Sequence, residues 1–209
     1  GQIVTMTYPL IGNYGINLED VESRGVHVKG FIVREKSDEP NNFRCEMDID
    51  TYLKQNKVIG LEGIDTRALT KILRNNGTMK GIITLENATL EDIQQKLDKF
   101  SNTEAVRTVT RKEKEYIKGN GPKVAVMDFG VKQNILRSFK ARGCDLVIFP
   151  ATTSAEEMLK ENPDLIFLSN GPGDPEDLED VIANLKELIG KKPIAGICLG
   201  HQLLALTLG

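Results

Sequence analysis

Short apolar runs alternate with amphipathic stretches through the second half of the chain, and that rhythm predicts a parallel α/β sheet. After Gly121, "KVAVMDFG" reads as an apolar strand ending in a turn, "KQNILRSFKARG" as a helix stopped by Gly143, and "CDLVIFP" as the next strand. Ser154 and Glu157 form a capping-box pattern, and "DLIFLS" supplies a third strand. Leu178, Val181, Ile182, Leu185, Leu188 and Ile189 stripe the following helix, and "KPIAGI" is a fourth strand that delivers the chain to Cys198. Ligands of open parallel sheets collect at the carboxyl ends of the strands. Two loops rich in glycine lie there, "SNGPGDP" and "CLGHQ".

The first half is less regular. Ile3, Val4 and Met6 form an apolar run closed by Pro9, while "GVHVKGFIV" and "KGIITL" also read as strands. Alternation turns Val26 and Val28 to one side and His27 to the other, which makes His27 a surface strand residue. Asp65 caps a helix through "TRALTKILRNN", and Gly77 supplies the positive φ that ends it. Thr89 and Asp92 make a capping box ahead of Leu90, Ile93, Leu97 and Phe100, a stripe read as core packing. "TRKEKEYIKGNGP" is charged and then rich in Gly, Asn and Pro, so it reads as the linker, with the boundary near Gly119 to Pro122. The expected organisation is α/β: a smaller mixed N-terminal domain over 1–118, then the first part of a parallel-sheet domain over 123–209.

Composition narrows the function classes. With 209 residues, 40% of them hydrophobic and 27% charged, the chain can bury a core as one large domain or two modest ones. A net charge of -3, with both signs interspersed, leaves no basic face for nucleic acid or anionic lipid, and neither partner is expected. Cys45, Cys144 and Cys198 are too few and too widely spaced for a disulfide framework or a zinc cluster, which points to a reducing, cytoplasmic setting and no metal. "GQIVTMTYPL" has neither the basic start nor the apolar centre of a signal peptide. Because it opens in a strand, and "LLALTLG" is an apolar helix at the other end, the sequence reads as a segment of a longer chain.

Cys198 carries the candidate chemistry. A nucleophile at a tight strand-to-helix turn needs small neighbours, and Gly196 and Gly200 flank it as glycines flank the serine of a hydrolase elbow. The helix N-terminus beyond it offers free N–H groups and partial positive charge, which favour a thiolate over a thiol. The N–H of Leu199 is placed to donate to an oxyanion, and Gly171 and Gly173 let a second donor approach closely. Cys144 reads as an inert small hydrophobe in a strand, and Cys45 has nothing nearby to activate it.

"GICLGHQLLAL" with "SNGPGDP" resembles a class I (triad) glutamine amidotransferase domain, and "VAVMDFGVKQNILR" narrows the resemblance to the small, glutaminase subunits of carbamoyl-phosphate synthetases. "TYPLIGNYGIN" and "GLEGIDTRALTKILRNNGTMKGII" resemble the N-terminal domain of those subunits, so the match runs over essentially the whole chain. The resemblance implies that Cys198 attacks the glutamine side-chain carbonyl, expels ammonia and leaves a glutamyl thioester. It implies that Gly171 and Gly173 line the glutamine and oxyanion site and that Leu199 and Gln202 contact substrate. Ammonia would pass by a tunnel to a large synthetase subunit that makes carbamoyl phosphate from bicarbonate and ATP for pyrimidines and arginine. No cofactor is expected in this chain; ATP and magnesium belong to the large subunit, since nothing here resembles a P-loop.

The family's general base is a histidine oriented by a glutamate from a segment beyond the elbow, and a glutamine-binding serine lies upstream of Gly1. Neither falls within the 209 residues, so the chain alone is expected to release essentially no ammonia from glutamine. His201, three residues past Cys198, reads as a packing or hydrogen-bonding residue of the elbow helix rather than as a surrogate base. Two other classes stay open: a cysteine amidohydrolase of another pathway, distinguished by the amide it cleaves, and a docking module that binds a synthetase without chemistry.

Overall fold

The apolar runs of the second half build one five-stranded sheet, and its order explains where a site can form. In the computed structural model, which describes residues 1–209, the chain divides into two compact units, Gly1–Ser101 and Asn102–Gly209. The first contains β1 (Ile3–Met6), β2 (Gly30–Val33), α1 (Ile49–Gln55), β3 (Ile59–Leu61), α2 (Thr66–Asn76) and α3 (Leu90–Lys99). The second opens with α4 (Ala105–Val109) and β4 (Glu115–Ile117) and continues through β5 (Lys123–Asp128), α5 (Gln133–Ala141), β6 (Asp145–Pro150) and α6 (Ala155–Lys160). It closes with β7 (Leu165–Leu168), α7 (Glu179–Leu188), β8 (Ile194–Gly196) and α8 (Leu199–Leu208).

The second sheet runs β4-β6-β5-β7-β8, with β5, β6, β7 and β8 parallel and β4 antiparallel on β6. From β5 the chain crosses to β6 on one side, then returns past β5 to β7 on the other. The loops that leave β5 and β7 therefore part in opposite directions, which opens a crevice at their carboxyl ends. The faces are packed accordingly. Val124, Val126, Leu146 and Ile148 meet Leu136 of α5, while Ala125, Met127, Val147, Phe149, Ile166 and Leu168 meet Met158, Leu185, Leu188 and Leu203 of α6, α7 and α8. Each such side chain, fully removed from water, stabilises the fold by about 1.5–3 kcal/mol. Helix ends follow the sequence: Ser154 accepts from the Glu157 N–H, and Gly143, at φ 77°, turns α5 so that its N–H reaches the Lys140 carbonyl at 2.9 Å.

The first unit holds a parallel three-stranded sheet, β1-β2-β3. Asp65 caps α2 by accepting from the Ala68 N–H at 3.0 Å, and Thr89 and Asp92 form the reciprocal box that starts α3. Three expectations for this half need correction. "KGIITL" joins no strand ladder: Ile83 lies over Gly30 of β2, and Leu85 is 93% exposed. The second sheet strand begins at Gly30, so His27 is exposed as expected but lies outside the strand. The stripe of α3 is not core, since Leu90 and Phe100 are exposed and only Ile93 and Leu97 are half-buried.

The division between the units also falls earlier than the boundary read at 119–122, because the charged stretch after Thr110 is tied into the second sheet. Thr110 donates its hydroxyl to the Asp128 carbonyl at 2.6 Å and accepts from the Ala151 N–H at 2.9 Å. Arg111 is buried beside Asp128, 3.2 Å from its carboxylate, and pairs with Glu115. Beyond it, Glu161 at the end of α6 accepts from Tyr116 of β4 at 2.6 Å and from Lys114 at 3.0 Å. High charge in this segment marks paired side chains along an edge strand, and only "KGNGP" behaves as a connection.

Those hydrogen bonds from Tyr116 and Lys114 hold the Glu161 carboxyl below its usual value of 4.5. A carboxylate lowered on folding adds stability that is present above the unfolded value and disappears as pH falls through the folded one. The stability gap between the native protein and Glu161→Gln should therefore be constant near neutrality and narrow as pH drops below about 4.5. Urea unfolding across a pH series checks this, and a gap that holds its size into strong acid contradicts it.

Candidate functional site

β8 ends at Gly196 and α8 begins at Leu199, so the chain has two residues in which to reverse from strand to helix. It does so with Cys198 at φ 52°, ψ -116°, a region L-residues adopt at a cost of about 1–3 kcal/mol. Asn162, the other non-glycine residue of this unit with positive φ, is a turn asparagine, the type that tolerates it best. The turn is strapped to the end of β7: the Ile197 N–H donates to the Leu168 carbonyl at 3.1 Å and the Gly200 N–H to the Ser169 carbonyl at 3.0 Å. A Cβ on Gly200 would overlap the Leu168 carbonyl, and one on Gly196 would lie 2.6 Å from the Gly200 carbonyl. The flanking glycines thus let the strand, the turn and the first turn of α8 come into backbone contact.

The result is an exposed thiol on a buried base. Cys198 is exposed while Leu199 and Gly200, the next two residues, are buried. The Leu199 side chain is 1% exposed and packs into the core, so what this residue offers a ligand is its N–H. That N–H takes no bond within the chain, whereas the Gln202 N–H closes the first helical turn on the Cys198 carbonyl at 3.0 Å. Gln202 and His201 are exposed on the same first turn. Cys45 and Cys144 are half-buried elsewhere, Cys45 directing its thiol to the Met47 carbonyl at 3.4 Å.

The loop after β7 reaches this elbow through Gly171. A Cβ there would overlap the Phe129 carbonyl and lie 2.8 Å from Leu199 Cδ2, so packing against both neighbours requires glycine at 171. Gly173 has φ 91° and lies against Ala105, so a side chain at that position strains the turn even where space allows it. Asp174 accepts from the Glu176 N–H at 3.0 Å and ends the loop in a short helical turn.

Three residues that the sequence reading did not select organise these loops. Asp128, at the end of β5, accepts from the Gly130 and Val131 N–H groups, each at 2.8 Å, and from the Arg111 N–H at 3.2 Å. Asn170 accepts from the Lys132 N–H at 3.1 Å and donates to the Gly130 carbonyl at 3.0 Å. Ser169, wholly buried, accepts from the Phe129 N–H at 2.9 Å. The signal was present in "DFG" and "SNG", since Asp, Ser and Asn at strand ends routinely hold the following turn by side-chain to backbone bonds. A separate cleft of about 440 Å³ lies in the first unit, lined by Tyr14, Asn17, Asp20, Asn42, Arg44 and Tyr52. Its Arg44 is committed to Asp20 at 3.0 Å, which raises the guanidinium pKa further. No helix is long and apolar enough to cross a membrane.

Comparison with known proteins divides the chain in a similar way. Residues 1–83 match the family model "Carbamoyl-phosphate synthase small chain, CPSase domain", and residues 125–209 match "Glutamine amidotransferase class-I". The chain is 68% identical over its whole length to the carbamoyl phosphate synthase small chain of Clostridium perfringens, covering 60% of that protein. It is 50% identical to the small chain of Clostridium acetobutylicum, again over 60% of that protein, and 50% identical to that of Caldanaerobacter subterraneus over 57%. The chain therefore spans about three-fifths of the length of the curated relatives it matches. The first unit thus resembles the domain particular to carbamoyl-phosphate synthase small chains, the second resembles a class-I glutamine amidotransferase domain, and the chain is similar along its whole length to small chains of that kind.

Proposed function

We propose that the protein carrying this chain hydrolyses glutamine and channels the ammonia to a large synthetase subunit that makes carbamoyl phosphate in the cytoplasm for pyrimidine and arginine synthesis. The observation that carries this reading is the elbow: an exposed cysteine at φ 52° on a helix N-terminus, in a chain whose relatives are carbamoyl phosphate synthase small chains. In the reaction, the Cys198 sulfur attacks the side-chain amide carbon of glutamine. The C–S bond forms, and the carbonyl electrons move onto oxygen, where the free Leu199 N–H and a donor from the Gly171 to Gly173 loop stabilise them. Collapse breaks the C–N bond, ammonia leaves with the proton taken from the thiol, and water then cleaves the thioester to glutamate.

A proton carrier is needed at both steps. The family resemblance assigns it to a histidine oriented by a glutamate outside residues 1–209, and His201 does not favour a second reading. It is exposed on α8 with no carboxylate bonded to it. Gln202, exposed one residue on, is the side chain of this helix suited to the polar end of the substrate. Nucleotide and magnesium belong with the large subunit in this reading, and this chain needs neither.

In the complete small chain joined to its large partner, Cys198→Ser should lower glutamine-dependent carbamoyl phosphate formation by about a thousandfold or more. Formation from ammonium salts should stay within about twofold, because only amide cleavage needs sulfur. Equal loss with both nitrogen sources would contradict the assignment. Gly200→Ala tests the elbow itself: forcing a Cβ against the Leu168 carbonyl should cost about 1–3 kcal/mol in urea unfolding. An unchanged midpoint would mean that the close approach of elbow and β7 is not needed.

A further inference from the structure

Two oxyanion donors that come from separate loops work together only if their relative position is fixed, because a displacement of about 0.5 Å already degrades such a site. The Leu199 N–H belongs to the elbow, while the Gly171 N–H belongs to the loop after β7, and Gly171 packs against Leu199. One residue touches both loops through its backbone and its side chain. The Ser169 carbonyl accepts from the Gly200 N–H of the elbow at 3.0 Å. Its hydroxyl accepts from the Phe129 N–H at 2.9 Å and donates to the Asn170 carbonyl at 2.8 Å. With a single hydroxyl proton, that division of roles leaves no alternative orientation: the proton points at Asn170.

The Asn170 carbonyl and the Gly171 N–H are the two ends of one peptide plane, and a trans peptide sends them in opposite directions. Fixing the carbonyl therefore fixes the N–H. Glycine would otherwise leave this plane loosely determined, since a residue without Cβ accepts many backbone conformations. The Asn170 side chain is held separately, by the Lys132 N–H and the Gly130 carbonyl, so the plane is clamped from both sides. We propose that Ser169 is a positioning residue for glutamine hydrolysis, whose hydroxyl sets the direction of the Gly171 N–H toward the developing oxyanion while its carbonyl ties that loop to the elbow. This rests on the amidase reading above. Ser169 touches no substrate; it acts through the peptide plane that follows it.

The test uses the full-length small chain, comparing the native protein with Ser169→Ala and with Ser169→Cys, a near-isostere whose thiol is a weaker donor. Loss of a whole oxyanion donor lowers kcat by about a hundredfold to a thousandfold. A donor left in place but no longer aimed should cost Ser169→Ala about tenfold to a hundredfold in kcat, with Ser169→Cys between it and the native protein. KM and the rate of Cys198 alkylation by iodoacetamide should stay within about twofold, because neither depends on the oxyanion. Inhibition by the γ-semialdehyde of glutamate, which adds to the thiol to form a tetrahedral oxyanion, should weaken by the same factor as kcat. A purely structural serine would move KM, alkylation and kcat together, and that result overturns the proposal. So does an unchanged kcat in Ser169→Ala while the native protein hydrolyses glutamine. If Ser169→Ala does not fold, Ser169→Cys decides: native-like kcat overturns the proposal, and lowered kcat at unchanged KM supports it. Absence of glutamine hydrolysis by the native protein would instead overturn the amidase reading, and this inference with it.

Discussion

The close approach of three backbones at the end of β7 governs everything else in the second unit. The Leu168 carbonyl, the first turn of α8 and the residues leading out of β8 are packed too tightly for any side chain at Gly196 or Gly200. Strain at Cys198 accompanies that approach: the chain reverses in two residues and passes through positive φ at the second of them. Burial elsewhere in the same unit supports the strain. Val126, Met127, Leu146, Ile148, Ile166 and Leu168 are all fully inaccessible, and at about 1.5–3 kcal/mol for each side chain a handful of them outweighs the about 1–3 kcal/mol held at one cysteine.

The same approach converts a sheet edge into a place for chemistry. The reversal of strand order between β5 and β7, which run parallel, opens the crevice, and the elbow after β8 projects its thiol at the same carboxyl edge. Around it the polar groups are satisfied by short-range bonds: Asp128 holds the turn after β5, Asn170 joins that turn to the next loop, and Ser169 joins that loop to the elbow. Donors that remain unpaired, such as the Leu199 N–H, are those a bound substrate would use. Each loop is thus fixed by its neighbour and not by solvent, which is how preorganised electrostatic sites avoid reorganising during reaction.

Much of this was legible in the sequence where burial and periodicity agree. "VAVM", "LVIF" and "LIFL" are strands because both faces are covered by helices, and the glycines around Cys198 announced the elbow. The reading went astray where local pattern met no tertiary partner or an unexpected one. Leu90 and Phe100 keep helical spacing yet stay exposed, and "KGIITL" has strand composition but joins no strand ladder. Residues 110–117 look like a charged linker, but Arg111, Lys114 and Tyr116 are paired across the fold with Asp128 and Glu161, partners that lie up to 47 positions away. Gly171 was read as room for a ligand, and the structure adds a packing reason for it against Phe129 and Leu199. Ser169, Asn170 and Asp128 escaped selection because their roles are bonds to backbone groups that only the folded loops bring together.

Under the proposed function, the geometry of the elbow makes Cys198 the nucleophile toward a glutamine side chain. A diazoketone analogue of glutamine tests this in one experiment, since it enters as substrate and alkylates the sulfur that attacks it. After treatment of the full-length protein, peptide mass spectrometry should find the adduct on the peptide containing Cys198, with excess glutamine slowing its formation and Cys45 and Cys144 unmodified. An adduct on Cys45 or Cys144, or labelling of Cys198 that glutamine does not slow, would contradict the account.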